Sequence, residues 1–223
     1  MNLSREVPVE LGRTALLVID MQNYTARQDG GEYRGMTEAD REATHGFFFR
    51  TLGETTLPNI RRLLDACRAA GIEIIYTVIE SLTKDGRDLS LDYKISGLVV
   101  TRGSWDARVL DQIAPADDEI VLPKTSSSVF ISTNIDYVLR NLGVRYLIVC
   151  GGLTDQCVDS AIRDACDLGY LVTCATDACA TLTQDRHDWA LRNNNGYCRQ
   201  RVTTEIVEEI ERLAKNYRIA GAG

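Results

Sequence analysis

Positive charge is in deficit. The chain of 223 residues carries 25 Lys and Arg against 32 Asp and Glu, a formal net charge of -7. No surplus remains to neutralise a phosphate backbone, which argues against nucleic acid as a partner. Long apolar runs are missing as well. The longest, around Tyr146 to Cys150, falls far short of the roughly 18 residues of a membrane-spanning helix, so no membrane partner is expected. The opening stretch MNLSREVPVELGR has no apolar signal-peptide core. No CxxC pair occurs among the seven cysteines, Cys67, Cys150, Cys157, Cys166, Cys174, Cys179 and Cys198. An odd count without a secretion signal points to reduced thiols in the cytoplasm, most of them small buried hydrophobes. Internal repeats, Ser/Gly linkers and composition breaks are absent, so one domain over residues 1–223 is expected. What is present is ordinary for a soluble globular protein: 44% hydrophobic and 26% charged residues, which excludes a disordered, collagenous or coiled-coil chain.

Strand and helix patterns alternate. Thr14 to Asp20 is a continuous apolar run ending in a carboxylate, as in a strand buried on both faces. Thr56 and Pro58 suggest a cap and first turn; Ile60, Leu63, Leu64, Cys67 and Ala70 then recur at helical spacing up to Gly71. Further strands are expected over Ile72–Glu80, Glu119–Lys124, Val144–Cys150 and Tyr170–Ala175, and helices over Asn134–Leu142, about Asp155–Leu168 and Glu205–Lys215. This order predicts an α/β fold with a mostly parallel sheet covered by helices on both sides. Tyr24–Thr55 and Ser81–Ser104 show no clear period. Long irregular connections favour lids or interface loops, although the Phe47–Phe49 cluster equally suits a local helix packed on the core.

In open parallel sheets ligands bind outside the carboxyl ends of the strands, and three chemically able residues fall there. Asp20 ends the first strand, Lys124 ends the third, and Cys157 follows the fourth. With Thr154 or Asp155 as cap, the sulfur lies in the first turn of a helix, where free N–H groups and the dipole favour an anion. A carboxylate and an ammonium beside a thiol supply a proton acceptor and a charge that stabilises thiolate. Taken singly, each has a bland reading: a core cysteine, a turn aspartate, a solvated lysine. The Gly151-Gly152-Leu153 turn lets backbone approach a ligand closely, so the N–H groups near Leu153 and Cys157 form a candidate oxyanion hole with the turn at Gly152.

The segments LLVIDMQNYT, LPKTSSSVFISTNIDYVLRNLGV and VCGGLTDQCVDSAIRDACDLGY, with ATDACAT and VTTEIV, closely resemble the isochorismatase-like cysteine hydrolase superfamily from about residue 13 to 210. The resemblance implies a three-layer α/β/α sandwich with a six-stranded sheet, an Asp20–Lys124–Cys157 triad, and a non-proline cis peptide at Gly152-Leu153. It also implies a homodimer or homotetramer. Relatives that cleave a vinyl ether generally lack the nucleophilic cysteine, so Cys157 favours an amidase. Nicotinamidase relatives carry a metal site rich in histidine, whereas this chain has only His45 and His187, each read as a lone histidine on a surface helix. No metal or other cofactor is expected. What remains resembles the N-carbamoylsarcosine, ureidoacrylate and biuret amidohydrolases, which release ammonia from small carbamoyl or amide substrates. Thr25 stands where many relatives have an aromatic residue, so the pocket floor is expected to differ from theirs.

Other readings remain. Cys157 to Arg163 fits the C-x5-R phosphate cradle, but the residues between continue a helix period and Asp159 repels phosphate. A redox protein needs a resolving thiol nearer than Cys166. A catalytically silent binding or scaffold subunit stays open, as does a vinyl-ether hydrolase. Asn23, Tyr24, Trp105 and Phe130 are candidate pocket walls, and Arg27, Arg34 and Arg102 candidate partners for a substrate carboxylate; packing and solvated surface charge are the competing readings.

Overall fold

The protein is described by a computed structural model over residues 4–220; the domain expected over 1–223 extends beyond these at both ends. Six strands form one sheet: β1 (Thr14–Ile19), β2 (Glu73–Ile79), β3 (Ile120–Lys124), β4 (Tyr146–Gly152), β5 (Leu171–Ala180) and β6 (Arg199–Arg201). Their spatial order is β3-β2-β1-β4-β5-β6 and every pairing is parallel. The order reverses between β1 and β4, and the crevice outside the strand ends at such a switch point is where ligands bind.

The helices are α1 (Asn23–Ala26), α2 (Glu38–Thr51), α3 (Leu57–Ala70), α4 (Leu91–Ile95), α5 (Val129–Ser132), α6 (Ile135–Asn141), α7 (Asp159–Asp167), α8 (Gln184–Asn194) and α9 (Thr203–Ala220). Alternation along the strands divides the core into two layers. Leu16 and Val18 of β1 pack with Phe48, Ile60, Leu64 and Ile210 from α2, α3 and α9. Ala15, Leu17 and Ile19 pack on the other face with Val129, Leu139, Ala161 and Ile162 from α5, α6 and α7. The expected three-layer sandwich is present, with the sheet wholly parallel.

Several boundaries differ from the sequence pattern. Helix α3 begins directly after Thr56 with Pro58 in its first turn, as expected, but Thr56 makes no capping bond, because α2 runs into α3 through a wide π turn over Leu52–Thr56. The wide turn ends two residues before Pro58, the residue that cannot donate to a helical ladder. The capped start of the joined helices is Thr37, whose hydroxyl accepts the Asp40 N–H at 3.1 Å. Half of Tyr24–Thr55 is thus helical, with Phe48 in the core and Phe49 edge-on to it. Strand β5 continues to Ala180 through polar Thr176 and Asp177, which hid its second half. Val149 pairs with Cys174 and Gly151 with Cys179, so β5 spends five residues where β4 spends two. In this detour the Asp177 carboxylate accepts the Thr203 N–H and hydroxyl, each at 2.7 Å, at the start of α9. The Asp177 carbonyl accepts from Asn59 of α3 at 3.0 Å.

Candidate active site

The carboxyl ends of β1, β3 and β4 bring the three candidate residues together. Asp20 follows β1 with φ 53°, the one non-glycine residue with positive φ among those described; aspartate tolerates this region better than most, and such outliers gather at functional sites. The turn aims its carboxylate across the sheet. Oδ1 accepts the Thr77 hydroxyl at 2.7 Å and Oδ2 lies 2.8 Å from Lys124 Nζ. Lys124 is 0% exposed. Its Nζ also lies 2.9 Å from the Tyr93 hydroxyl, 2.9 Å from the Ser126 carbonyl and 3.3 Å from Cys157 Sγ. A buried ammonium is tolerable only when paired and hydrogen-bonded in this way.

Cys157 sits in the turn after β4, which is built on backbone that a side chain would break. Gly151 has φ 117°, and a Cβ there would fall onto the Ile19 carbonyl. The Gly152-Leu153 bond is cis, as the resemblance implies. The helix then opens as a π turn over Thr154–Val158 before α7. Leu153 is the cap residue, with no side-chain capping bond. Neither Thr154 nor Asp155 caps it: the Thr154 hydroxyl shares a 3.0 Å hydrogen bond with His187 Nδ1, and Asp155 takes Thr181 and Arg186. These contacts fasten the nucleophile turn to α8. The Leu153 carbonyl accepts the N–H groups of Gln156 and Val158.

Burial sets the protonation state. It pushes the Cys157 thiol up to about 12; Lys124 opposes this and Asp20 adds to it. The resting sulfur is therefore a thiol, whereas the helix-dipole argument alone favours thiolate. Burial would lower Lys124, but the Asp20 charge and the sulfur reverse that and hold the ammonium above its ordinary range.

The triad opens into a cavity of about 760 Å³ lined by Asp20, Tyr24, Thr25, Glu32, Tyr33, Arg34, Phe48, Asp92, Tyr93, Leu153 and Cys157 among others. Of the expected wall residues, Tyr24 lines it, whereas Asn23, Trp105 and Phe130 stand outside, as does Arg27 of the expected carboxylate partners. Asn23 is buried and donates to the Trp105 carbonyl at 2.9 Å. Arg27 pairs with Asp29 at 2.8 Å and lies over Trp105, 5.2 Å from the ring centroid. Phe130 packs on Tyr170 behind the sheet. Each is near the triad in sequence, but its own element turns it away. Arg34 is the arginine that reaches the wall, paired with Asp106 at 3.3 Å. Beside Thr25, the Tyr33 ring faces the cavity and its hydroxyl donates to the Thr25 carbonyl at 2.6 Å.

Neither histidine is free on a surface helix. His45 is buried edge-on to Tyr33, and half-buried His187 holds Thr154. Among the described residues, no three His, Cys, Asp or Glu side chains are grouped to hold a metal ion, and no helix is long and apolar enough to cross a membrane. Tyr93 carries no signal in the sequence, because α4 is a five-residue helix in a stretch without a period.

A family model described as the Isochorismatase domain matches residues 14–206. The ureidoacrylate amidohydrolase RutB of Rhizobium rhizogenes is 32% identical over 200 residues, spanning 82% of this chain and 77% of its own. A solved structure of a cysteine hydrolase from Pseudomonas syringae pv. phaseolicola superposes with a TM-score of 0.79 at 26% identity, covering 93% of this chain and 97% of the other. N-carbamoylsarcosine amidase from Thermoplasma acidophilum, 24% identical, superposes with a TM-score of 0.63 over 86% of this chain and 96% of its own, a likeness of fold.

Proposed function

Because the chain belongs to the isochorismatase family of hydrolases, we propose that it is a cysteine-dependent amidohydrolase that releases ammonia from a small ureido, carbamoyl or amide substrate. The observation that carries this reading is the buried Asp20–Lys124 pair, 2.8 Å apart, whose ammonium stands 3.3 Å from the Cys157 sulfur at the cavity. The ureidoacrylate amidohydrolases at 32% identity support the ureido class.

Asp20 takes the proton from Cys157 Sγ as the sulfur forms its bond to the amide carbon. A base acting in the same step suits a thiol whose resting form is neutral. The carbonyl oxygen gains the charge, and the N–H groups of Leu153 and Cys157 receive it. Asp20 returns the proton to the departing nitrogen, the C–N bond breaks, and ammonia leaves a thioester. Water then gives a proton to Asp20 as it attacks the thioester carbon, and that proton returns to sulfur as the acid is released. Lys124 stays paired with the Asp20 carboxylate through these steps and offers an N–H to the sulfur.

The test is ammonia release from ureido acids, biuret and simple amides by wild type and by Cys157→Ala and Cys157→Ser. Both variants are expected to lose on the order of 10³-fold or more in kcat, as when other covalent nucleophiles are removed. Wild-type turnover by either ends this reading.

A further inference from the structure

We propose that the Tyr93 hydroxyl is a fourth catalytic group, a neutral hydrogen-bond donor to the sulfur of Cys157 as its charge develops; this rests on the nucleophile reading above. The argument is one of donors and acceptors. Lys124 Nζ forms an ion pair with Asp20 Oδ2 at 2.8 Å and donates to Tyr93 Oη at 2.9 Å, the Ser126 carbonyl at 2.9 Å and Cys157 Sγ at 3.3 Å. An ammonium can only donate, so the phenol oxygen accepts and the Tyr93 proton points away from Nζ. Cys157 Sγ, 3.9 Å from Oη, is the acceptor within its reach.

The phenol is held in that position. The Ser90 hydroxyl accepts the Tyr93 N–H at 3.2 Å, and the Ser90 N–H bonds to the carbonyl of Thr125, next to Lys124, at 2.9 Å. The ring is 3% exposed yet faces the cavity. Burial, partly opposed by Lys124, raises the phenol well above its ordinary range, so Tyr93 keeps its proton while the Cys157 proton passes to Asp20. Besides Asp20 and Tyr93, the charged groups facing this cavity are Glu32, Arg34 and Asp92, with Lys124 buried behind the lining.

Tyr93→Phe keeps the ring and removes the donor. The readout is the rate of Cys157 alkylation by iodoacetamide between pH 6 and 10, with the other six thiols as internal standards and Cys157→Ser identifying the site. The expected result is a roughly tenfold lower rate at neutral pH and a pH profile displaced upward by about one unit, the scale of one hydrogen bond to a charged group. KM for an amide substrate should change little while kcat falls. A tyrosine at 93 fluorinated on the ring, a stronger donor of the same shape, should react faster than wild type, which a purely packing role would not produce. Profiles for Tyr93→Phe and the fluorinated protein that superpose on wild type overturn the assignment. If wild-type Cys157 alkylates no faster than the other thiols, the nucleophile reading itself fails; selective Cys157 labelling that is indifferent to Tyr93 removes only the fourth group.

Discussion

Glu32 lines the cavity and, among the described residues, no Lys, Arg or His lies within ion-pair range of it. Burial raises its carboxyl from the ordinary 4.5 to about 7. A raised acid favours the folded state while protonated: that contribution is complete below pH 4.5 and is lost as pH climbs through 7. The same ionisation puts a negative charge on the wall. For a ureido substrate that carries a carboxylate, KM should rise as pH passes about 7, and Glu32→Gln should flatten that rise; a steady-state pH series on both proteins checks it. Legibility at this scale followed position in the chain. Asp20, Lys124 and Cys157 each end or follow an apolar run, so their convergence could be read from the strand pattern and the rule that ligands bind at strand ends. Tyr93, Glu32 and Arg34 sit in stretches without a period, where nothing in the sequence says which way a side chain faces.

Elements with a buried stripe were readable and those without were not. Helix α3 shows Ile60, Leu63, Leu64 and Cys67 on one face, whereas α2 buries only His45, Gly46 and Phe48 in fourteen residues. Its polar sequence therefore read as an irregular connection. Strand β6 is Arg-Gln-Arg at the sheet edge and owes its place to a side chain rather than to an apolar run. Arg199 is 4% exposed and forks onto Glu209 of α9 with both bonds at 2.9 Å. Glu209→Ala would leave that guanidinium buried and unpaired, and its expected cost is about 3 kcal/mol or more. Chemical denaturation should show the loss, while kcat stays unchanged because β6 is remote from the cavity.

Across the whole molecule, the alternating pattern implied a layered α/β protein, but strand order depends on pairings between distant segments, which no local period encodes. One sheet separates two cores, so damage to either should destabilise both. Leu64→Ala in the α3 layer and Leu139→Ala in the α6 layer, both 0% exposed, are each expected to lower stability by about 2–5 kcal/mol. Their effects should add within a single cooperative transition followed by circular dichroism and fluorescence. Two separate transitions would mean that the layers melt independently. The detour in β5 has a consequence for how this architecture can vary. Asp177 moors α3 and α9 to one post, so a deletion that straightened the strand would leave the pairing ladder tidier and cast both helices adrift.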